Sequence, residues 1–222
     1  MARTYDTDVV MGDGTVVKTT VASDGGAVER FLDEVRGDSG HHQALMVGID
    51  TEWRLVDQPE GRRRAHRMAV LQLCVGRRCL VFQIVHADYV PDALHRFLAS
   101  PDVRFFGVGV DGDVKRLSED CGLEVANAVE LTKLAVEALS RPELKGAGLK
   151  TLTREVMGVC IDKPKQVTMS KWDAEPLSSE QVQYACIDAF VSYEVGRLLL
   201  AGQCAEPAAT SPSVATMGVQ VS

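Results

Sequence analysis

The chain has 222 residues, of which 45% are hydrophobic and 25% charged, proportions that exclude a mainly disordered protein. Lys and Arg number 24 against 31 Asp and Glu, a formal net charge of −7, so a broad basic coat for duplex DNA is excluded while a local basic patch or a cation-holding acidic cluster is not. No apolar stretch reaches the roughly 18 residues of a membrane span, and the opening MARTYDTDVV has no apolar core of a secretory signal. The six cysteines, Cys74, Cys79, Cys121, Cys160, Cys186 and Cys204, include no CxxC pair; they read as reduced thiols of a cytoplasmic or nuclear protein and argue against a zinc site.

In chain order, residues 5–21 predict two short strands around a Gly-Asp-Gly turn. Val28, Phe31, Leu32 and Val35 recur at helical spacing over 27–36. GDSGHHQ is a loop, ALMVGIDTEW is a β-prone run, and the stretch between Trp53 and Met68 is a polar connection. MAVLQLCV and RCLVFQIV, separated by Gly76-Arg77, predict antiparallel neighbours. PDALHRFLAS is a short helix, VRFFGVGV a strand, DGDVKRLSEDCG a helix and VANAVEL a short strand. LTKLAVEALS and GLKTLTREVMG are helices, and the longest helix covers 178–201. This order predicts an α/β sheet with helices packed on it. The expected organisation is an N-terminal hairpin extension over 1–26, a single domain over 27–202 and a disordered Ala/Pro/Ser/Thr-rich tail over 203–222.

Two attractive motifs fail on their own chemistry. GDSG at 37–40 resembles the nucleophile region of trypsin-like proteases, but those need a His before the Ser, and the first His is His41. Gly107-x-Gly109-x-x-Gly112 has the spacing of a dinucleotide fingerprint. Asp111 and Asp113, however, would set anion against anion where a pyrophosphate meets the helix N-terminus. Those carboxylates suit a cation.

Asp50 and Glu52 lie two apart on a strand and so share a face. With Met46, Val47, Ile49 and Trp53 around them the strand reads as central, where two carboxylates are costly unless paired or metal-bound. A strand end emerging into solvent fits this segment equally well. Asp188, among Ile187, Ala189, Phe190 and Val191, is an acid in an apolar helix, with Tyr184 one turn away on the same face. Taken alone it is an ordinary partly buried helical Asp. Asp113 taken alone is an N-terminal dipole partner or cap.

Together the four acids resemble the Werner-like family of DEDDy 3′–5′ exonucleases, on a ribonuclease H-like (DnaQ-like) mixed β-sheet flanked by helices. The residues that carry the resemblance are Asp50-Thr51-Glu52 after a hydrophobic strand, Asp113 in GVGVDGDVKRL, and Tyr184-x-x-x-Asp188 in LSSEQVQYACIDAFVS. Gly148, Leu149, Lys163, Ser170 and Trp172 follow the pattern between them, and Gln183 stands where the sister subclass has His. The likeness covers about residues 28–202. The short build and the opening TYDTDVV…GDGTVVKTTV look most like the plant RISC-interacting clearing exoribonucleases. That finer likeness implies single-stranded RNA substrates, an Argonaute-type partner and a ring-shaped homo-oligomer, a hexamer by resemblance.

The resemblance further implies hydrolysis assisted by two Mg²⁺ or Mn²⁺ ions, for which oxygen ligands are suited. Asp50, Glu52 and Asp188 are expected on the more tightly held ion, Asp50 bridging to a second that Asp113 supports through water. Tyr184 is expected to position the attacking water by hydrogen bonding, since a phenol of pKa near 10 is a poor base unless the metal assists. For substrate contacts the candidates are Arg62, Arg63 and Arg64, with Arg67, on the connection after Trp53; Lys163 and Lys165, with Lys171, in a loop before the last helix; and Thr51 and Trp53 beside the acids. For Trp53, packing into the core is the stronger expectation. Against the metal-dependent exonuclease, acting on RNA or on DNA ends, stand a catalytically weak nucleic-acid-binding module, which the intact acid set opposes, and a dinucleotide enzyme, which Asp111 and Asp113 oppose.

Overall fold

The computed structural model describes residues 4–37, 44–57 and 65–204. Strands β1 (Thr4–Val10) and β2 (Val16–Ala22) form an antiparallel hairpin and lead into helix α1 (Gly25–Gly37). Then come β3 (Leu45–Val56), β4 (Ala65–Val75) and β5 (Arg78–Phe82), helix α2 (Asp92–Leu98), strand β6 (Val103–Gly107), helix α3 (Val110–Cys121) and the short β7 (Ala128–Glu130). The rest is helical: α4 (Leu131–Leu139), α5 (Leu149–Leu152) running into a π turn at Thr153–Met157, the four-residue α6 (Lys165–Thr168) and the long α7 (Ser179–Ala201).

The seven strands of the described residues form one mixed sheet in the order β1-β2-β5-β4-β3-β6-β7. The central β3 runs antiparallel to β4 and parallel to β6. Strand alternation sorts β3 between two cores. Val47 and Ile49 pack with α1, α2 and α3 through Phe31, Leu94, Phe97, Val110 and Leu117. On the opposite face lies the core built around α7, with Trp172, Tyr184, Ala189, Val191 and Val195. Asp50 and Glu52 have the parity of this second face, so the strand itself aims both acids at α7.

Helix α7 is buried along most of its length, as its near-continuous apolar sequence requires. Ser178 and Gln181 close a reciprocal capping box at its start, and Gly202 ends it in the left-handed region at φ 64°. The helix crosses β3 at Gly48: a β-carbon there would lie 2.0 Å from the carbonyl oxygen of Ala189. Among the described residues no helix is long and apolar enough to cross a membrane.

Three expectations need correction. The connection between Trp53 and Met68 is shorter than its polarity predicts, because Arg54, Leu55 and Val56 continue the ladder opposite Arg67, His66 and Ala65. Backbone pairing in a hairpin needs no apolar side chains, so composition alone ends such strands too early. The single helix expected over 148–158 is a short α-helix followed by a π turn. The lysine-bearing segment before α7, read as a loop, contains α6.

Candidate active site

The acids converge from three elements. Donor atoms of Asp50 and Glu52, from β3, and of Asp188, from α7, all lie within 4.8 Å of one another. Glu52 is 8% exposed and Asp188 2%. Asp113, from the first turn of α3, stands outside this group but close enough for its charge to act on Asp50 and Glu52.

So many buried carboxylates in one place resist ionisation. Burial, and then the charges of Asp188 and Asp113, push Asp50 well above the usual carboxylate range. Burial and the neighbouring Asp50 push Glu52 up to about 9. Burial also raises Asp188, although the Lys163 ammonium and hydrogen bonding from Tyr184 oppose it. Asp113 rises to about 6 through burial, with a hydrogen bond from Thr51 and the charge of Arg116 pulling the other way. An all-oxygen donor set with this spacing and this excess negative charge fits a hard divalent cation.

Around the acids the structure assigns several contacts. Thr51, expected to touch substrate, is buried and its hydroxyl donates to Asp113 Oδ1 at 2.6 Å. Lying between Asp50 and Glu52 on an alternating strand, it points to the face covered by α3. Trp53 is not core: it is 37% exposed, with the Arg116 guanidinium 4.6 Å over its ring and His66 edge-on at 4.8 Å. Lys163 makes an ion pair with Asp188. Lys165 is exposed on α6. Arg62, Arg63 and Arg64 lie outside the described residues; Arg67 pairs with Asp120.

The Tyr184 hydroxyl oxygen accepts a hydrogen bond from Thr168 Oγ1 at 3.3 Å, and its ring packs against Trp172. Burial, then the charge of Asp188, pushes the phenol up to about 12.

Two residues escaped the sequence reading. Glu130 Oε2 accepts from the backbone N–H groups of Gly109 (2.8 Å) and Val110 (3.2 Å), while Oε1 accepts from the Thr132 hydroxyl at 2.9 Å. It thus ties the start of α4 to the start of α3, the helix that carries Asp113. The amides that a pyrophosphate would need at Gly109, which sits at φ 72°, are already engaged by a carboxylate. A lone Glu before an apolar helix carries no sequence signal for this. Gln72 is the cross-strand neighbour of Asp50 and is fully buried, with both amide atoms unpartnered. In the sequence it is one polar residue in a β-run.

The seven-stranded mixed sheet flanked by helices is a ribonuclease H-like fold with the acid cluster at its central strand. The fold is that of RNase D from Escherichia coli, with a TM-score of 0.67 at 19% identity over 82% of this chain and 44% of that one. The RRP6 catalytic core from Trypanosoma brucei gives 0.65 at 14%, over 89% and 61%. A family model described as 3′-5′ exonuclease matches residues 27–200, and the chain belongs to that family. It is 31% identical over 173 residues to a 3′-5′ exonuclease of Arabidopsis thaliana, covering 77% of this chain and 57% of that protein. To the mouse bifunctional 3′-5′ exonuclease/ATP-dependent helicase WRN it is 35% identical over 146 residues, covering 65% of this chain and 10% of that one. The chain therefore spans little more than half of the first relative and a tenth of the second.

Proposed function

We propose that this chain is a divalent-metal-dependent exonuclease that removes nucleoside monophosphates from single-stranded 3′ ends, RNA in preference to DNA. The observation that carries the reading is the three carboxylate donor atoms within 4.8 Å, on a central strand and the helix crossing it. Two bound Mg²⁺ or Mn²⁺ ions would supply an activated water and charge stabilisation at the leaving oxygen. Asp50, Glu52 and Asp188 would hold the more tightly bound ion, and Asp113, which accepts a hydrogen bond from Thr51, would support the second from the α3 side.

In the metal-free site Tyr184 is held protonated, because burial and the charge of Asp188 raise its pKa to about 12. Its oxygen accepts from Thr168 and its hydroxyl hydrogen-bonds to Asp188, which sets the phenol beside the acids, where it would position the attacking water.

Restriction to single strands follows from burial. With Glu52, Asp113 and Asp188 at 8%, 8% and 2% exposure, a 3′ end must leave its duplex to reach them. Unstacking and unpairing cost a few kcal/mol. Preference for RNA rests on the resemblance carried by the short build and the N-terminal hairpin segment, as do the ring-shaped homo-oligomer and the Argonaute-type partner, while a cytoplasmic or nuclear location rests on the six scattered cysteines. Matched 3′- and 5′-labelled single-stranded RNA, single-stranded DNA and blunt duplexes, at fixed salt with Mg²⁺, Mn²⁺ or chelator, test the reading. Stepwise metal-dependent loss from single-stranded 3′ ends is expected. Equal cutting of blunt duplexes sinks the access argument, and a clear preference for DNA sinks the RNA assignment alone.

A further inference from the structure

Lys163 lies between the π turn and α6, and its ammonium is 2.6 Å from Asp188 Oδ2. This is no solvent-screened surface pair: the Asp188 side chain is 2% exposed and the Lys163 side chain 29%. The same ammonium stands 5.3 Å from the centre of the Tyr184 ring. Burial by itself would lower the pKa of Lys163, but the charges of Asp188 and Asp50 more than reverse this and hold it above its ordinary value. Lys163 is therefore a resident cation on a carboxylate that also belongs to the metal-ligating group.

A divalent ion on Asp188 would bind its carboxylate oxygen at about 2.0–2.6 Å. An ammonium at hydrogen-bonding distance from the same carboxylate then lies only a few ångströms from that ion, and in a buried site two cations so placed repel strongly. Lys163 has room to give way. Its side chain is long, Pro164, Lys165 and Gln166 after it are exposed, and α6 buries none of its residues.

We propose that Lys163 is a built-in competitor for the cation site: its ammonium neutralises Asp188 and must yield that contact as a divalent ion binds, which sets how tightly the site holds metal. The inference rests on the reading of Asp50, Glu52 and Asp188 as metal ligands, and not on cleavage itself. It makes Lys163 a positioning residue with a measurable cost to metal affinity.

The test is Mn²⁺ titration of the full chain by calorimetry, with melting temperatures in chelator and in saturating Mn²⁺. Replacing Lys163 with a neutral residue, in Lys163→Gln and Lys163→Met, is expected to tighten Mn²⁺ binding about tenfold or more by removing a buried like charge. The same variants should melt lower than wild type in chelator and gain more from Mn²⁺. Lys163→Arg, which keeps the charge, and Lys145→Gln, at an exposed lysine, should leave the affinity near wild type. Mn²⁺ binding no tighter in the neutral variants than in wild type overturns the proposal, as does a wild-type chain that binds no Mn²⁺. Failure of both neutral variants to fold in saturating Mn²⁺ also overturns it, because a competitor is dispensable once metal is bound. A wild-type chain that binds Mn²⁺ but cleaves nothing would remove the exonuclease reading and leave this result standing.

Discussion

Gly48 and Ala189 meet where β3 and α7 cross: a β-carbon on Gly48 would lie 2.0 Å from the Ala189 carbonyl oxygen and 2.6 Å from the Tyr193 backbone nitrogen. Both obstacles are backbone, so neither can swing aside as a side chain would. Asp50 is two residues from Gly48 on the same strand face, and Asp188 immediately precedes Ala189. The contact that brings helix to strand is thus the one that brings the two carboxylates together. Gly48→Ala should force the elements apart and destabilise the fold by about 1–3 kcal/mol or more. Cleavage should fall further than stability alone explains, since Asp188 is carried away from Asp50. Thermal melts together with a cleavage assay decide this; wild-type stability in the variant would show that the crossing relaxes freely.

Glu130 should act on the site through Asp113. Glu130→Ala removes the acceptor shared by the Gly109 and Val110 amides and the cap on Thr132. A helix cap of this kind is worth about 0.5–2 kcal/mol. The larger expected effect is on rate, a loss of about tenfold or more as Asp113 loses its fixed position. The Asp50, Glu52 and Asp188 group remains, so Mn²⁺ binding should change less than turnover. The reverse ordering would place Glu130 on the metal side of the site.

Tyr184→Phe deletes only a hydroxyl. Mn²⁺ affinity should persist while turnover drops about 10–1,000-fold, the size of a lost positioning contact in the transition state. If metal affinity falls more than rate, Tyr184 is a structural support for Asp188.

The raised carboxylates give the metal-free protein a definite response to pH. Glu52 moves from 4.5 to about 9 on folding, so between those values the folded chain keeps a proton that the unfolded chain has lost. Stability from such a group is full below the unfolded pKa and is lost as pH rises toward the folded one. Asp113 adds the same sign between 3.8 and about 6. In chelator the melting temperature should therefore fall between about pH 5 and about pH 9. Saturating Mn²⁺ should remove most of the slope, because the ion takes the place of the protons, and Glu52→Gln should flatten it without metal. A melting temperature that rises with pH in chelator would contradict the buried-acid account.

Much of this was legible from local spacing. Asp50 and Glu52 share a face because strands alternate, and Tyr184 and Asp188 because helices repeat after four residues. The capping box at Ser178 and Gln181 is likewise contained in four consecutive residues. Such relations depend on backbone geometry within one element, which the order of residue types already determines. Four other relations were decided by tertiary structure: the crossing of α7 at Gly48, the turn of Thr51 toward Asp113, the reach of Glu130 across 20 and 21 residues to the start of α3, and the Lys163–Asp188 ion pair. Each joins residues from different elements, and its geometry exists only once the sheet and its two helical layers have packed. Local periodicity says which way a side chain points along its own element, while the partner it meets depends on where the other elements pack.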